Sequence, residues 1–479
     1  MSMLPELKGK QLEVLALQQA GHIVVLGTAG SGKTTLAIYR AAHLAKLYGP
    51  DRVLLITFNK TLVKYIDKLS GNRLKDVAVH NYHKFARGYL NNRGKMPAVN
   101  GIVNGHEKKL RLVAEALENI IKANGTNSTL NRGPRFCMEE IDWVQKMGIS
   151  SLQQYEQAER IGRVGTRLAR DNRKYIYQVY EEYLRLREEK GYLYDWEDIA
   201  QSVYSELLED KTERKYKHII IDEGQDLSPV MLKSLAEAIP NDGSLTFLGD
   251  VAQQIYGNRI SWRNAGLRVT AKDVWRFENN YRNSKEIAQL AIAISESPYF
   301  VSEEDLVTPE LPKASSPMPI VAEARDHKHE TDFIIKYIKG RIKEDDTNKI
   351  AVLVKDRKSV ISLVARLRSN GVSTQELHGE MPSMNIEARV SVGTFHSAKG
   401  LEFDLVLMPY CAKETFGVAE DVEAMGNLED ALAQDIKLLY VAVTRAKREL
   451  IITYSGELTD LLPDKNKGVY DQKEIKWNR

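Results

Sequence analysis

Cysteine is almost missing from this chain. Cys137 and Cys411 are the only two, far apart and without CxxC or Cys/His spacing, which excludes a disulfide framework and a thiolate zinc site and suits a reducing compartment. No 18-residue apolar run free of charge occurs, and Met1–Leu17 shows no basic stretch leading into an apolar one. We therefore expect a soluble, cytoplasmic protein with no membrane partner. With 14 Pro, 31 Gly and 8% aromatics among 479 residues, the composition fits neither a collagen-like nor a disordered chain. A dominant charge is lacking too: 68 Lys+Arg against 65 Asp+Glu leave +3, so any nucleic-acid partner has to be argued from sites. What remains is 43% hydrophobic, enough for two or three cores at about 150 residues per domain.

Short apolar runs followed by helical patterns recur at His22–Leu26, Val53–Thr57, His218–Ile221, Leu245–Leu248, Ile350–Val354, Val390–Thr394 and Leu405–Met408. Runs of this length bounded by Gly or polar turns predict buried parallel strands, and their alternation with helices predicts an α/β fold. One group of strands ends near Leu248 and another begins near Ile350, which predicts two parallel-sheet domains. Between Leu90 and Asp210 strand signals are scarce, while Glu107–Ala123 and Tyr175–Lys190 repeat apolar residues at helical spacing, so a helical insertion is expected. Leu306–Ile320 carries Pro309, Pro312, Pro317 and Pro319 and should be an extended connection.

The chemistry begins at Gly27-Thr28-Ala29-Gly30-Ser31-Gly32-Lys33-Thr34, followed by Thr35. This is G-x-x-x-x-G-K-[ST] placed between a strand and a helix, the context a phosphate-binding loop requires. Glycines let backbone N–H groups curl round phosphate oxygens, the helix N-terminus adds a positive dipole, Lys33 reaches the β and γ phosphates, and the Thr34 hydroxyl ligates Mg²⁺. A second strand ends in Asp222-Glu223, two carboxylates at the edge where open α/β sheets bind ligands. Asp222 would hold Mg²⁺ through water and Glu223 would orient or deprotonate the attacking water of an ATP hydrolysis.

Further motifs run in order from Leu7 to Leu450: LKGKQ (Leu7–Gln11), TFNK (Thr57–Lys60), NYHKF (Asn81–Phe85), IIIDEGQD (Ile219–Asp226), GDVAQQIY (Gly249–Tyr256), NNYRNSKEIA (Asn279–Ala288), TFHSAKGLEFDLVLMP (Thr394–Pro409) and LLYVAVTRAK (Leu438–Lys447). With the phosphate loop as motif I, they resemble the Q motif and motifs Ia, Ib, II, III, IV, V and VI of UvrD/Rep-like superfamily 1A DNA helicases. Departures are Lys8 in place of the usual Asn, Asn81 where the family more often has Thr, and Gly257–Ile260 intervening before Ser261-Trp262-Arg263. Only a dozen residues separate His378 from Val390, so the chain resembles a compact form without the family's 2B subdomain. The resemblance implies two RecA-like P-loop domains: 1A at 1–90 and 205–276, and 2A at 277–479, with a helical 1B insertion at 91–204.

By the same resemblance Gln11 reads adenine, Tyr281 stacks on it, Glu402 accepts a bond from the ribose, Gln253 senses the γ-phosphate, and Arg282 and Arg445 reach it across the cleft. Paired guanidinium contacts supplied across an interface make hydrolysis depend on closing that interface. Phe58, Asn59, Tyr82, His83, Trp262, Arg263 and His396 would line the single-strand path, where stacking tolerates any base. Arg160, Arg163, Arg167 and Arg170, with Arg173 and Lys174, have spacings that align on one helix face, either against phosphates or in solvent. Glu420–Asp435 is acidic and is expected to be an exposed loop and helix. These features imply an ATP- and Mg²⁺-dependent motor moving 3′ to 5′ on single-stranded DNA beside a duplex junction. Two alternatives stay open: a translocase that strips bound partners without unwinding, and a nucleic-acid-sensing ATPase subunit that switches an associated nuclease or other effector.

Overall fold

In the computed structural model, residues 4–17, 20–97, 101–160, 167–250, 262, 265–300, 310–345, 347–378 and 388–475 are described. The apolar runs become strands because alternate residues of each find a different core. In β2 (Val53–Thr57), Leu54 and Ile56 enter one hydrophobic cluster and Val53 and Leu55 the other, the signature of a sheet covered on both faces.

Five more strands join β2: β1 (Gly21–Gly27), β3 (Ala78–Asn81), β6 (His218–Asp222), β7 (Ser244–Gly249) and β8 (Val274–Phe277). They form a six-stranded parallel sheet in the order β3-β2-β6-β7-β1-β8. Helices α1 (Lys10–Leu15), α2 (Lys33–Tyr48) and α3 (Lys60–Ser70) cover one face. On the other face lie α4 (Tyr82–Asn92), α9 (Ile199–Glu209) and α10 (Pro229–Glu237).

The second sheet has seven parallel strands in the order β11-β12-β10-β13-β14-β9-β15. These are β9 (Ile320–Ala324), β10 (Ile350–Val354), β11 (Gln375–Leu377), β12 (Val390–Thr394), β13 (Phe403–Met408), β14 (Ala446–Ser455) and β15 (Asp471–Glu474). One face is packed by α11 (Lys285–Ser295) and α15 (Leu428–Val443), the other by α12 (His327–Glu344) and α13 (Arg357–Ser369). Short α14 (Ala419–Met425) precedes α15. The sequence reading stops the first sheet at Leu248 and starts the second at Ile350; the structure adds β3 and β8 to the one and β9, β11, β14 and β15 to the other.

Between α4 and α9 the chain makes a helical excursion: α5 (His106–Asn124), α6 (Pro134–Met147), α7 (Leu152–Gln157) and α8 (Arg173–Glu189). It has its own core around Phe136, Ile141, Tyr155 and Tyr183, and its ends meet in a parallel pair, β4 (Ile102–Val103) with β5 (Tyr194–Asp195). Inside it Lys109 donates to Asp142 at 2.5 Å and to Asp195 at 3.0 Å, a buried network that each member needs the others to sustain. Among the described residues the expected arginine face does not form. Arg160 donates to Glu140 in a buried ion pair at 2.6 Å, Arg173 donates to the carbonyls of Tyr155 and Ala158, and Arg170 sits in a single 3₁₀ turn; Arg163 lies outside the described residues.

Tyr82 also departs from expectation. It starts α4 but is fully buried, and because Ser234 Oγ donates to the Met231 carbonyl, the Tyr82 hydroxyl donates to Ser234 Oγ at 2.6 Å. Its ring is core, held between α4 and α10, and is not presented to a strand of DNA. The preceding Asn81 caps the same helix by accepting from Lys84 N at 3.0 Å, a job a Thr would also do. Tyr82→Phe should cost about 1 kcal/mol in urea unfolding and Tyr82→Ala about 3–5 kcal/mol, with oligonucleotide affinity of the folded Tyr82→Phe protein equal to wild type; a weaker affinity would restore Tyr82 to the groove.

Candidate nucleotide site and nucleic-acid groove

Parallel strands end at one edge of the sheet, and this brings β1, β6 and β7 together at the phosphate loop. After β1 the chain turns through Gly30 and Gly32, both with positive φ (75° and 82°), and enters α2 at Lys33. A Cβ on Gly32 would lie 2.5 Å from Gln11 Nε2, and one on Gly30 would lie 2.5 Å from both Arg282 Cβ and Asn280 Oδ1. The two glycines are thus where α1 and the loop before α11 press onto the phosphate loop. Gln11 is fixed there by two bonds, its Nε2 donating to Ser31 O at 2.8 Å and its Oε1 accepting from Lys8 N at 2.9 Å. The second bond uses the backbone, which is why Lys8 can stand where Asn is usual.

Lys33 Nζ donates to the carbonyls of Gly27 and Thr28, each at 2.8 Å. Burial pulls its pKa down while Asp250, Glu223 and Asp222 pull it up. Thr34 Oγ1 donates to Asp222 Oδ2 at 2.8 Å, whereas Asp222 Oδ1 is buried with no hydrogen-bond partner. Burial, then the neighbouring Glu223, push the Asp222 carboxyl up to about 7. A carboxylate so placed beside a hydroxyl fits one or two direct or water-bridged contacts to a hard divalent cation, whose other ligands would be water and phosphate oxygens. Among the described residues no cluster of three or more His, Cys, Asp or Glu side chains could hold a metal by itself.

Glu223 has left-handed backbone, φ 53° and ψ 39°, a conformation that a non-glycine residue adopts at a cost and that marks functional turns. Its Oε2 accepts from Gln225 Nε2 at 2.6 Å, and Gln225 Oε1 accepts from Asp250 N at 2.9 Å, so Gln225 ties the ends of β6 and β7. Gln253 and Arg263 lie outside the described residues.

Opposite the loop, a cavity of about 1040 Å³ is lined from both sheets, among others by Gln11, Lys33, Glu223, Tyr281, Arg282 and Glu402. Ala29, Gly30, Ser31, Gly32, Thr34 and Thr35 line it too; Gly27 and Thr28 stand behind, where they take Lys33. Tyr281 N donates to Gly30 O at 3.0 Å, while its side chain is 58% exposed and faces the opening. Glu402 uses both oxygens: Oε2 accepts from Arg282 Nε at 3.1 Å and Oε1 from Lys447 Nζ at 2.5 Å. Despite the cost of burial, those two cations hold its carboxyl at about 2. Arg445 is buried, donating to Val441 O at 2.9 Å, Leu401 O at 3.3 Å and Thr444 Oγ1 at 3.0 Å. Burial and then Arg282 pull it down to about 9, against Glu223 and Asp250. Of the described residues assigned to the nucleotide from sequence, all line this cavity except Gly27, Thr28, Asp222 and Arg445, of which Asp222 is bonded to Thr34.

The groove residues are more dispersed. Phe58 follows β2, half-buried, with its ring centroid 6.3 Å from His83. His83 packs edge-on against Trp196 at 5.0 Å and lies 3.1 Å from its carbonyl. Asn59 caps α3 by accepting from Thr61 N at 2.7 Å. Trp262 stands edge-on to Phe247, centroids 5.0 Å apart. His396 belongs to the second sheet's edge, where with Lys355 it lines a separate cavity of about 900 Å³. Burial and then Lys399 lower its pKa to about 4. Sequence reading missed Trp196, Lys355, Lys447 and the buried pair Asp226–Lys399, 2.6 Å apart; Lys447, Asp226 and Lys399 lie inside the motifs quoted above, whereas Trp196 and Lys355 lie outside them.

Comparison with known proteins gives the family. Residues 7–274 match the UvrD/REP helicase N-terminal domain and 374–457 the UvrD-like helicase C-terminal domain. The chain is 25% identical over 471 residues to a Mycoplasma pneumoniae protein named probable DNA helicase, covering 90% of this chain and 80% of that one. It is 26% identical to the putative ATP-dependent DNA helicase YjcD of Bacillus subtilis and 25% identical to DNA helicase II of Escherichia coli. Those matches take in 74% and 62% of this chain but only 46% and 41% of the two relatives.

Gly30→Ala should cut ATP turnover more than tenfold, because the left-handed backbone alone costs about 1–2 kcal/mol and the new methyl pushes the Asn280–Arg282 turn away; wild-type turnover would show that this contact is dispensable. His396, with its pKa at about 4, is neutral at pH 6 and above. Between pH 7.5 and 6.0 it gains no charge, so His396→Gln and wild type should show the same pH dependence of oligo-dT affinity, whereas an affinity gain on acidification confined to wild type would mean the imidazole titrates in the groove.

Proposed function

The chain is a member of the UvrD/Rep family of DNA helicases, and from this we propose that it is an ATP- and Mg²⁺-dependent motor that moves 3′ to 5′ along single-stranded DNA. The observation that carries the proposal is the cavity shared by the two sheets, with the phosphate loop on one wall and the Arg282–Glu402–Lys447 cluster on the other. A nucleotide bridging both walls rewards closure, and loss of its γ-phosphate removes the reward.

In this reading Gln11 and Tyr281 take the base, and the loop N–H groups and Lys33 take the β and γ phosphates. Thr34 and Asp222 would hold the divalent cation, which when bound neutralises charge on the phosphate oxygens. Glu223 orients the attacking water and accepts its proton. Arg282 and Arg445 stabilise the charge that builds on the transferred phosphoryl group; Arg282 must exchange Glu402 for phosphate to do so, which makes the ion pair the resting partner of the catalytic cation. Phe58, His83, Trp262 and His396 offer sequence-tolerant contacts for bases. Alternate closing and opening of the two sheets then moves the strand. The short link from His378 to Val390 supports a motor without a duplex-binding 2B subdomain.

Lys33→Ala should lose ATP binding, whereas Glu223→Gln should keep Mg-ATP affinity and lose about 10²-fold or more in kcat; equal loss of affinity in both would contradict these roles. Oligo-dT should stimulate the ATPase, with affinity falling steeply as salt rises, and short duplexes with a 3′ overhang should be opened while those with a 5′ overhang are not. Preference for the 5′ overhang would overturn the direction of travel.

A further inference from the structure

The acidic segment before β14 is held at both ends. Arg135, in the first turn of α6, stands 3.6 Å from Glu420 and 3.5 Å from Glu423 of α14. Gly133, just ahead of α6, is close enough that a Cβ there would lie 2.8 Å from Glu423 Oε1. From the same short helix Asp421 turns the other way, and its Oδ2 accepts from Lys355 Nζ at 2.9 Å; Asp435 Oδ2 of α15 accepts from the same ammonium at 2.7 Å. Lys355 follows β10 at the C-terminal edge of the second sheet, shares the 900 Å³ cavity with His396, and faces Glu420, Asp421 and Asp435 across it. Thus α14 joins the helical excursion to the second sheet and sets the Asp421 carboxylate against the lysine that a phosphate backbone in this cavity would meet.

We propose that α14 is an autoinhibitory strap, an acidic helix that occupies Lys355 and bridges the groove until a single strand displaces it. This rests on the reading of the groove as the path of single-stranded DNA. Phosphate and the Asp421 carboxylate of α14 compete for one cation, so part of the DNA-binding free energy goes into lifting the strap. The outer anchor is weak by construction: Arg135 is 22% exposed and Glu420 73%, and exposed pairs of this kind are readily exchanged. Strand binding therefore also frees α6, coupling the helical excursion to the presence of DNA.

The test uses the purified full chain, fluorescence anisotropy with oligo-dT of about 20 nucleotides at fixed salt, and the oligo-dT concentration that half-saturates the ATPase. Arg135→Gln removes a positive charge, so an effect of net charge alone would weaken binding, whereas release of the strap should tighten it about threefold or more and lower the half-saturating concentration in parallel. Glu420→Gln with Glu423→Gln breaks the anchor from the other side and should act in the same direction, with kcat at saturating oligo-dT unchanged. All three residues are partly exposed, so the variants should fold. Unchanged or weaker binding by Arg135→Gln, with wild type still stimulated by oligo-dT, would overturn the strap and leave the groove reading intact. Failure of wild type and both variants to bind oligo-dT would overturn the two together.

Discussion

Two opposite charges meet 2.6 Å apart with almost no exposure to water: Asp226 after β6 and Lys399 after β12. Taking either ion out of water alone costs several kcal/mol, so each tolerates its place only while the other is there. Burial pushes the Asp226 carboxyl up to about 6 and Lys399 pulls it back. Because one partner belongs to each sheet, the pair is satisfied only when the two edges face each other. Asp226 lies three residues beyond Glu223, and Lys399 lies three beyond His396 and three before Glu402. This buried bond therefore constrains the spacing between Glu223, the Glu402 wall of the cavity and His396.

A second tie is made by the turn 279–283, which both bodies share. Its Tyr281 N donates to Gly30 O on the phosphate loop, while Asn283 Nδ2 donates to the carbonyls of Thr444 and Ala446 at 3.1 and 2.5 Å. Arg282, between them, has its backbone N on Asn280 Oδ1 at 2.9 Å. The turn is thus anchored at one end by the first sheet and at the other by the second, and any change in their separation must be absorbed where the arginine sits. In that arrangement nucleotide chemistry and domain movement have one mechanical element in common.

The parts of this architecture legible in the sequence are those where chemistry forces a pattern. Fully buried central strands need unbroken apolar runs, which is why Val53–Thr57, Ile350–Val354 and Val390–Thr394 are found with the boundaries expected. Edge strands need no such run: Val274–Phe277 sets Arg276 among apolar residues, and Asp471–Glu474 is polar throughout and fully exposed. The phosphate loop is legible because its glycines are sterically required, and the two now have named neighbours. Tyr82 and the arginines near 160 were misread for a shared reason. A side chain's type is visible in sequence, but whether it turns inward depends on partners such as Ser234 and Glu140, distant in sequence and unremarkable in type.

The parallel pair β4–β5 has a consequence for how this fold can vary. Ile102 pairs with Tyr194, and Leu193 N and Tyr194 N both donate to Gly101 O, so the excursion leaves and returns through one narrow neck. Meanwhile β2 and β6 are neighbours in the sheet although the whole excursion lies between them in sequence. Closing a longer loop costs only about 0.6 kcal/mol per doubling of length. The material beyond the neck, with a core of its own, can therefore be enlarged, trimmed or replaced over evolutionary time with little penalty to the nucleotide-binding sheet, as long as the two neck segments still find each other.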